Sequence, residues 1–291
     1  MAVLMAALLP VVAPRVRAQT PLVSSHDVVG MVIEVHPSRE RFVVSHEAIP
    51  GVMSAMTMPF DVRDRTELEH VSAGTRVAFT LVVGPDSTHA ERVRVIRYET
   101  AEQDPFTASR LRLLNEITGG TAPAGLTAGQ PVPDFSLIDQ AHRTVTLSQW
   151  RGRVVGINFV YTSCALPQFC FRVANQFGVL QRRFPDALGD DLMLLTITFD
   201  PSRDTPEVMA SYARRQLRAD GESWRFLTGD PAEVRKVCDM FGVDAFLDEG
   251  LMNHSSRTVI IDRQGAMVAK IEGNVFTARQ LGDLVESALR R

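Results

Sequence analysis

Cysteine is scarce in this sequence, three in 291 residues, which is too few for a disulfide scaffold. Tryptophan and tyrosine are as rare, two and three. Charge of one sign never accumulates: 31 Lys and Arg against 34 Asp and Glu give a net charge of −3. With no long basic or acidic run, nothing supports nucleic-acid binding or a polybasic membrane contact. No internal repeat or low-complexity tract is present. What remains, 45% apolar and 22% charged, is the composition of a soluble globular protein. The length leaves room for two domains of about 100–200 residues.

The N-terminus reads MAVLMAALLPVVAPRVRAQT, with the first 14 residues almost wholly apolar. A spanning helix needs about 20 such residues. Residues 1–19 therefore read as a signal peptide ending near Ala18, or as a short anchor, although a charged leader is missing. This places the rest of the chain in the periplasm or another exported compartment, with membrane proximity only through the N-terminus.

From residue 26 to 98 the pattern is all strand. GMVIEVH, RFVVSH, MTMPFDV, RVAFTLVV and ERVRVIRY are short, β-branched and aromatic, and turn residues separate them. Five such segments predict a small all-β barrel of the OB type. Residues 99–128 form a linker, with a short amphipathic helix expected over 107–117 and a Gly-rich joint after it. From 129 to 291 buried strands alternate with helical patterns, which predicts an α/β sheet covered by helices.

Two constellations carry chemistry. In the first, VSHEAIPGVMSAMTMPFDV brings His46, Met53, Met56 and Met58 within 13 positions. Thioether sulfur is soft and neutral and suits Cu(I). Met56 and Met58, two apart on a strand, share a face, and His46 ends the preceding strand. Methionine as core filler is the competing reading, least suited to Met53 in its turn. The segment resembles the small periplasmic copper-binding barrels of the CusF type, in which a histidine and a Met-Thr-Met pair hold Cu(I). That resemblance implies the same role for His46, Met56 and Met58. Where the best-known members place a tryptophan, this sequence has Met53, which removes the aromatic cap and offers a third sulfur.

The second constellation is Cys164, Cys170 and His254. Cys164 follows the strand RVVGINFVYT at the edge where sites of such sheets gather. Cys170 is expected at a helix start, where the backbone N–H groups favour a thiolate. His254 is expected in a loop before the strand RTVIID. Such thiolates can bind a soft metal, form a disulfide or attack one. Cys238, within a helical apolar pattern, reads as a structural thiol. His26, His36, His70, His89 and His142 fall in turns or polar strand ends and are expected at the surface. Asp204 is expected to cap the helix opened by Thr205-Pro206.

The motifs PDFSLIDQ, TFDPSRDTP and HSSRTVIID resemble the Sco family, thioredoxin-like copper-delivery proteins associated with cytochrome oxidase assembly. The resemblance implies Cys164, Cys170 and His254 as ligands of Cu(I) or Cu(II), with Asp200 supporting them. It implies an apo-cuproprotein such as the binuclear-copper subunit of the oxidase as partner. One departure is plain: five residues separate the cysteines instead of three. Two alternatives stay open. One is a thiol–disulfide oxidoreductase using Cys164 and Cys170 as a redox pair, though the two-residue spacing and the cis-proline of general reductases are missing. The other is copper resistance, with an efflux component as partner.

Overall fold

A computed structural model describes residues 23–85, 87–96, 125–164, 169–248 and 251–291. The expected signal segment and the helix expected over 107–117 lie outside them.

The N-terminal domain is a five-stranded antiparallel sheet. Its strands are β1 (Ser24–Val35), β2 (Arg41–His46), β3 (Met56–Asp61), β4 (Arg76–Val83) and β5 (Thr88–Val95), in the order β3-β2-β1-β4-β5. A bridge between Val62 and Ala90 brings the chain after β3 against β5. Phe42, Phe60 and Phe79 fill the interior edge to face, with Phe79 5.4 Å from Phe42 and 4.9 Å from Phe60. β1 is buried on both faces, which explains its nearly unbroken apolar run. Val28 and Val32 point into this interior, whereas Met31 and Ile33 join the core of the second domain.

The second domain holds a seven-stranded mixed sheet. β6 (Ser136–Asp139) and β7 (Thr144–Thr146) form one edge, and β13 (Arg257–Ile261) and β14 (Met267–Glu272) the other. Between them β8 (Val154–Val160), β9 (Leu192–Thr198) and β10 (Trp224–Thr228) run parallel, and every residue of β8 and β9 is buried. α1 (Cys170–Arg183) packs against α4 (Ala278–Leu289), α2 (Pro206–Tyr212) against β10, and α3 (Pro231–Phe241) against β6. β11 (Ala245–Asp248) and β12 (Leu251–His254) form a separate hairpin.

The helix starts follow their capping chemistry. Asp230 caps α3 ahead of Pro231, and Thr277 with Gln280 closes a reciprocal capping box on α4. At α2 the cap is Thr205, which accepts from the Val208 N–H. The expectation of Asp204 as cap is corrected, because its carboxylate turns inward. His89 is also corrected: it is buried and paired with Glu91 at 2.7 Å. The end of the expected linker belongs to the second domain, since the Leu126 N–H donates to the Met240 carbonyl.

Candidate metal centres

β8 delivers the chain to the turn that carries Cys164. Asp204, fully buried, fixes that turn: it accepts from the Thr162 N–H at 3.0 Å and from the hydroxyls of Thr162 and Thr198. Cys170 opens α1 and is only 3% exposed. Its Sγ stands 3.8 Å from His254 Nε2. His254 ends β12, where the sequence predicted a loop. Its ring packs against Tyr161, 5.8 Å away, and Phe199, 4.7 Å away, which also touch each other at 5.3 Å. The Nδ1–H donates to the Ser255 carbonyl at 3.3 Å, which leaves the Nε2 lone pair toward Cys170.

The electrostatics suit a soft cation. Burial lowers the His254 pKa, against the opposing pull of the Ser255 carbonyl and Cys164, so the imidazole is neutral and ready to ligate. The Cys170 thiol is pushed far up by its hydrogen bond with Cys164, then by burial, then by the Cys164 charge. Backbone N–H groups lower it by less. The expectation of a thiolate favoured at the helix start is therefore corrected. A metal that binds Cys170 has to displace its proton. A sulfur and a nitrogen 3.8 Å apart can share one ion, since bonds of about 2.3 and 2.0 Å then meet at an angle near ~120°. None of the three cysteines is in a disulfide.

Among the described residues no group of three or more His, Cys, Asp or Glu already surrounds a metal position. The candidate centre therefore rests on the Cys170–His254 pair with Cys164 beside Cys170. Asp200 lies two residues beyond β9, its pKa raised by burial and by the charge of Asp204, and its ion partner is Arg203 at 3.8 Å. Among the described residues its carboxylate makes no bond to His254. Cys238 is buried on α3, its thiol pushed up to about 12 by burial.

The other constellation sits on β2 and β3. Register pairs His46 with Met56 and Val44 with Met58, so the imidazole and both sulfurs share one face. Met56 is 45% exposed, while Met58 and Met53 pack partly against the interior. Met53 thus has more of a core role than its turn position implied. His46 is fully buried and donates from Nδ1 to the Glu47 carbonyl at 2.6 Å. Its Nε2 is buried without a partner, an orphan that a metal would satisfy. Gly30 stands opposite His46, and a Cβ there would lie 2.8 Å from His46 Cα and 2.5 Å from Val44 Cγ1. Only glycine lets β1 approach β2 this closely.

The fold is that of a thioredoxin-like domain in which Cys170 faces His254 near Cys164, preceded by a β-domain that carries His46, Met56 and Met58 on one face. The chain belongs to the SCO1/SenC family, whose model matches residues 124–289. Residues 25–94 match the model of the copper binding periplasmic protein CusF. The SCO2-like protein RT0576 of Rickettsia typhi is 30% identical over 143 residues, 46% of this chain and 66% of its own. A putative copper-binding protein of Stutzerimonas stutzeri is 26% identical over 141 residues, 47% of this chain and 66% of its own. The chain thus spans slightly less than two thirds of these relatives. The crystal structure of a putative electron transfer protein from Aquifex aeolicus shares the fold with a TM-score of 0.50. It has 20% identity and covers 56% of this chain and 94% of its own.

Proposed function

We propose that this chain is an exported copper-delivery protein. The observation that carries the reading is the neutral His254 Nε2 facing the buried Cys170 thiol at 3.8 Å, with Cys164 beside it. Copper is the cargo: Cys164 and Cys170 give up their protons to bind it, and His254 completes the set. Asp200 is the nearby acidic residue that supports this site. Departure to an acceptor proceeds by stepwise exchange of these ligands, and the partly exposed Cys164 is the sulfur an acceptor meets first. The family resemblance names the acceptor class, an apo-cuproprotein such as the binuclear-copper subunit of cytochrome oxidase.

The N-terminal sheet, read as an OB-type barrel over 26–98, captures Cu(I) through His46, Met56 and Met58, with Met53 as a further sulfur. Residues 1–19 serve export to the periplasm. Among the described residues no helix is long and apolar enough to cross a membrane.

Copper stoichiometry of the reduced full chain tests the reading. Two coppers are expected in the parent and one fewer in Cys164→Ala/Cys170→Ala and in Met56→Leu/Met58→Leu. Binding untouched by the cysteine pair sinks the second site. It would then favour thiol–disulfide exchange through the Cys164–Cys170 pair, in which neither cysteine is in a disulfide here.

A further inference from the structure

The strands that carry His46, Met56 and Met58 have a second face, and the thioredoxin-like domain grips it. Ser45 and Thr57 are direct cross-strand partners, one residue from each ligand. Both donate their hydroxyls to the same oxygen of Asp283 on α4, at 2.8 and 2.6 Å. The other Asp283 oxygen accepts from Arg183 of α1 at 2.8 Å. One turn earlier on α4, Arg279 donates to the His46 carbonyl at 2.7 Å and to the Ser45 hydroxyl at 3.0 Å. Gln280 donates to the Ser45 carbonyl at 3.1 Å.

We propose that α4 is a positioning element for the His/Met site, with Asp283 clamping β2 to β3 behind the ligands and Arg279 fixing the His46 backbone. The inference rests on the reading of His46, Met56 and Met58 as a Cu(I) site. Several features favour it over ordinary domain packing. The grip falls on the stretch of β2 and β3 that holds the ligands. A single carboxylate bridges both strands, so the distance from imidazole to sulfur is set jointly with the docking. Ser45 and Asp283 are largely removed from water, where hydrogen bonds to a charged group hold geometry most firmly. A ligand set held in place before the metal arrives binds more tightly than one ordered by it.

The test is Cu(I) affinity of the full chain in a Cys164→Ser/Cys170→Ser background, which leaves only the His/Met site. Cu(I) is partitioned against a chromophoric Cu(I) chelator without oxygen, and the thermal midpoint is recorded on the same samples. Thr57→Val and Asp283→Ala are expected to weaken Cu(I) binding by about tenfold or more, the loss of one to two charged hydrogen bonds. Thr57→Ser, which keeps the hydroxyl, should bind as the parent does. So should Arg290→Ala, at the exposed end of the same helix. Affinities of Thr57→Val and Asp283→Ala equal to the parent, whatever their midpoints, overturn the inference and leave the metal site standing. A parent that binds no Cu(I) in this background overturns the metal-site reading and the inference with it.

Discussion

At the scale of single residues, the turn before Cys164 depends on one carboxylate. Asp204 is the common acceptor for three donors from two strand ends, and a buried donor left without a partner costs about 1–3 kcal/mol. Asp204→Ala is therefore expected to lower the unfolding free energy by about 2–4 kcal/mol, read from a urea titration; an unmoved midpoint would show the carboxylate dispensable. Copper at Cys170 must displace a proton held more tightly than in a free thiol. Apparent copper affinity should then rise with pH through the neutral range in competition titrations, and a flat profile would remove Cys170 from the ligand set. Cys164, Cys170 and His254 were legible in the sequence because few residue types carry this chemistry and their motifs are specific. Tyr161, Phe199 and Asp204 were not. Phe199 and Tyr161 matter only as the walls of the His254 ring, a consequence of packing. Asp204 sits in an Asp-Thr-Pro run that reads equally well as a cap.

At the scale of elements, unbroken apolar runs made β8 and β9 visible, and β-branched and aromatic residues between turn signals made the five N-terminal strands visible. β7 is three residues long and β11 and β12 four each, too short for periodicity to register. Their omission displaced His254 from a strand end to a loop. The turn before β4 shows what close docking asks of an element. Gly74 has φ of 89°, and a Cβ there would lie 2.6 Å from the Lys270 carbonyl oxygen on β14. Gly51 also has a positive φ, 76°, but open space around it. Gly74→Ala should therefore lower the thermal midpoint well below that of Gly51→Ala, which carries only the conformational penalty of about 1 kcal/mol. Equal midpoints would mean that the two domains separate readily in solution. The docking also has a pH dependence. Burial works to raise the Asp283 carboxyl, but Thr57, Arg183 and Ser45 outweigh it and hold the group below its ordinary range. A depressed folded value gives stability present above the unfolded pKa of about 3.9 and lost as pH falls through the folded value. The acid limb of a pH–stability curve should thus move in Asp283→Asn; an identical limb would remove Asp283 from the linkage.

At the scale of the whole molecule, the two domains share a core. Met31 and Ile33 of β1 are counted among the buried side chains of the second domain, and α4 bonds to β2 and β3. A single cooperative unfolding transition is expected in calorimetry, with calorimetric and van't Hoff enthalpies equal. Two resolved transitions would show independent domains. None of this docking was legible in the sequence, where a linker with a Gly-rich joint implied a loose tether. Ser45 and Thr57 stand 238 and 226 residues from Asp283, and no local pattern marks hydroxyls that will meet a carboxylate so far away.

The two faces of β2 and β3 have a last consequence, for folding. Because side chains alternate, a slip of β3 by one residue would exchange its faces. Thr57 would then stand on the face of His46, and Met56 and Met58 would press on the Asp283 carboxylate. The error cannot be silent: a chain that mispairs these strands loses its His/Met face and its anchor together. Helix α4 is thus complementary to one strand register, the one in which Ser45 and Thr57 face Asp283 while Met56 and Met58 share the face of His46.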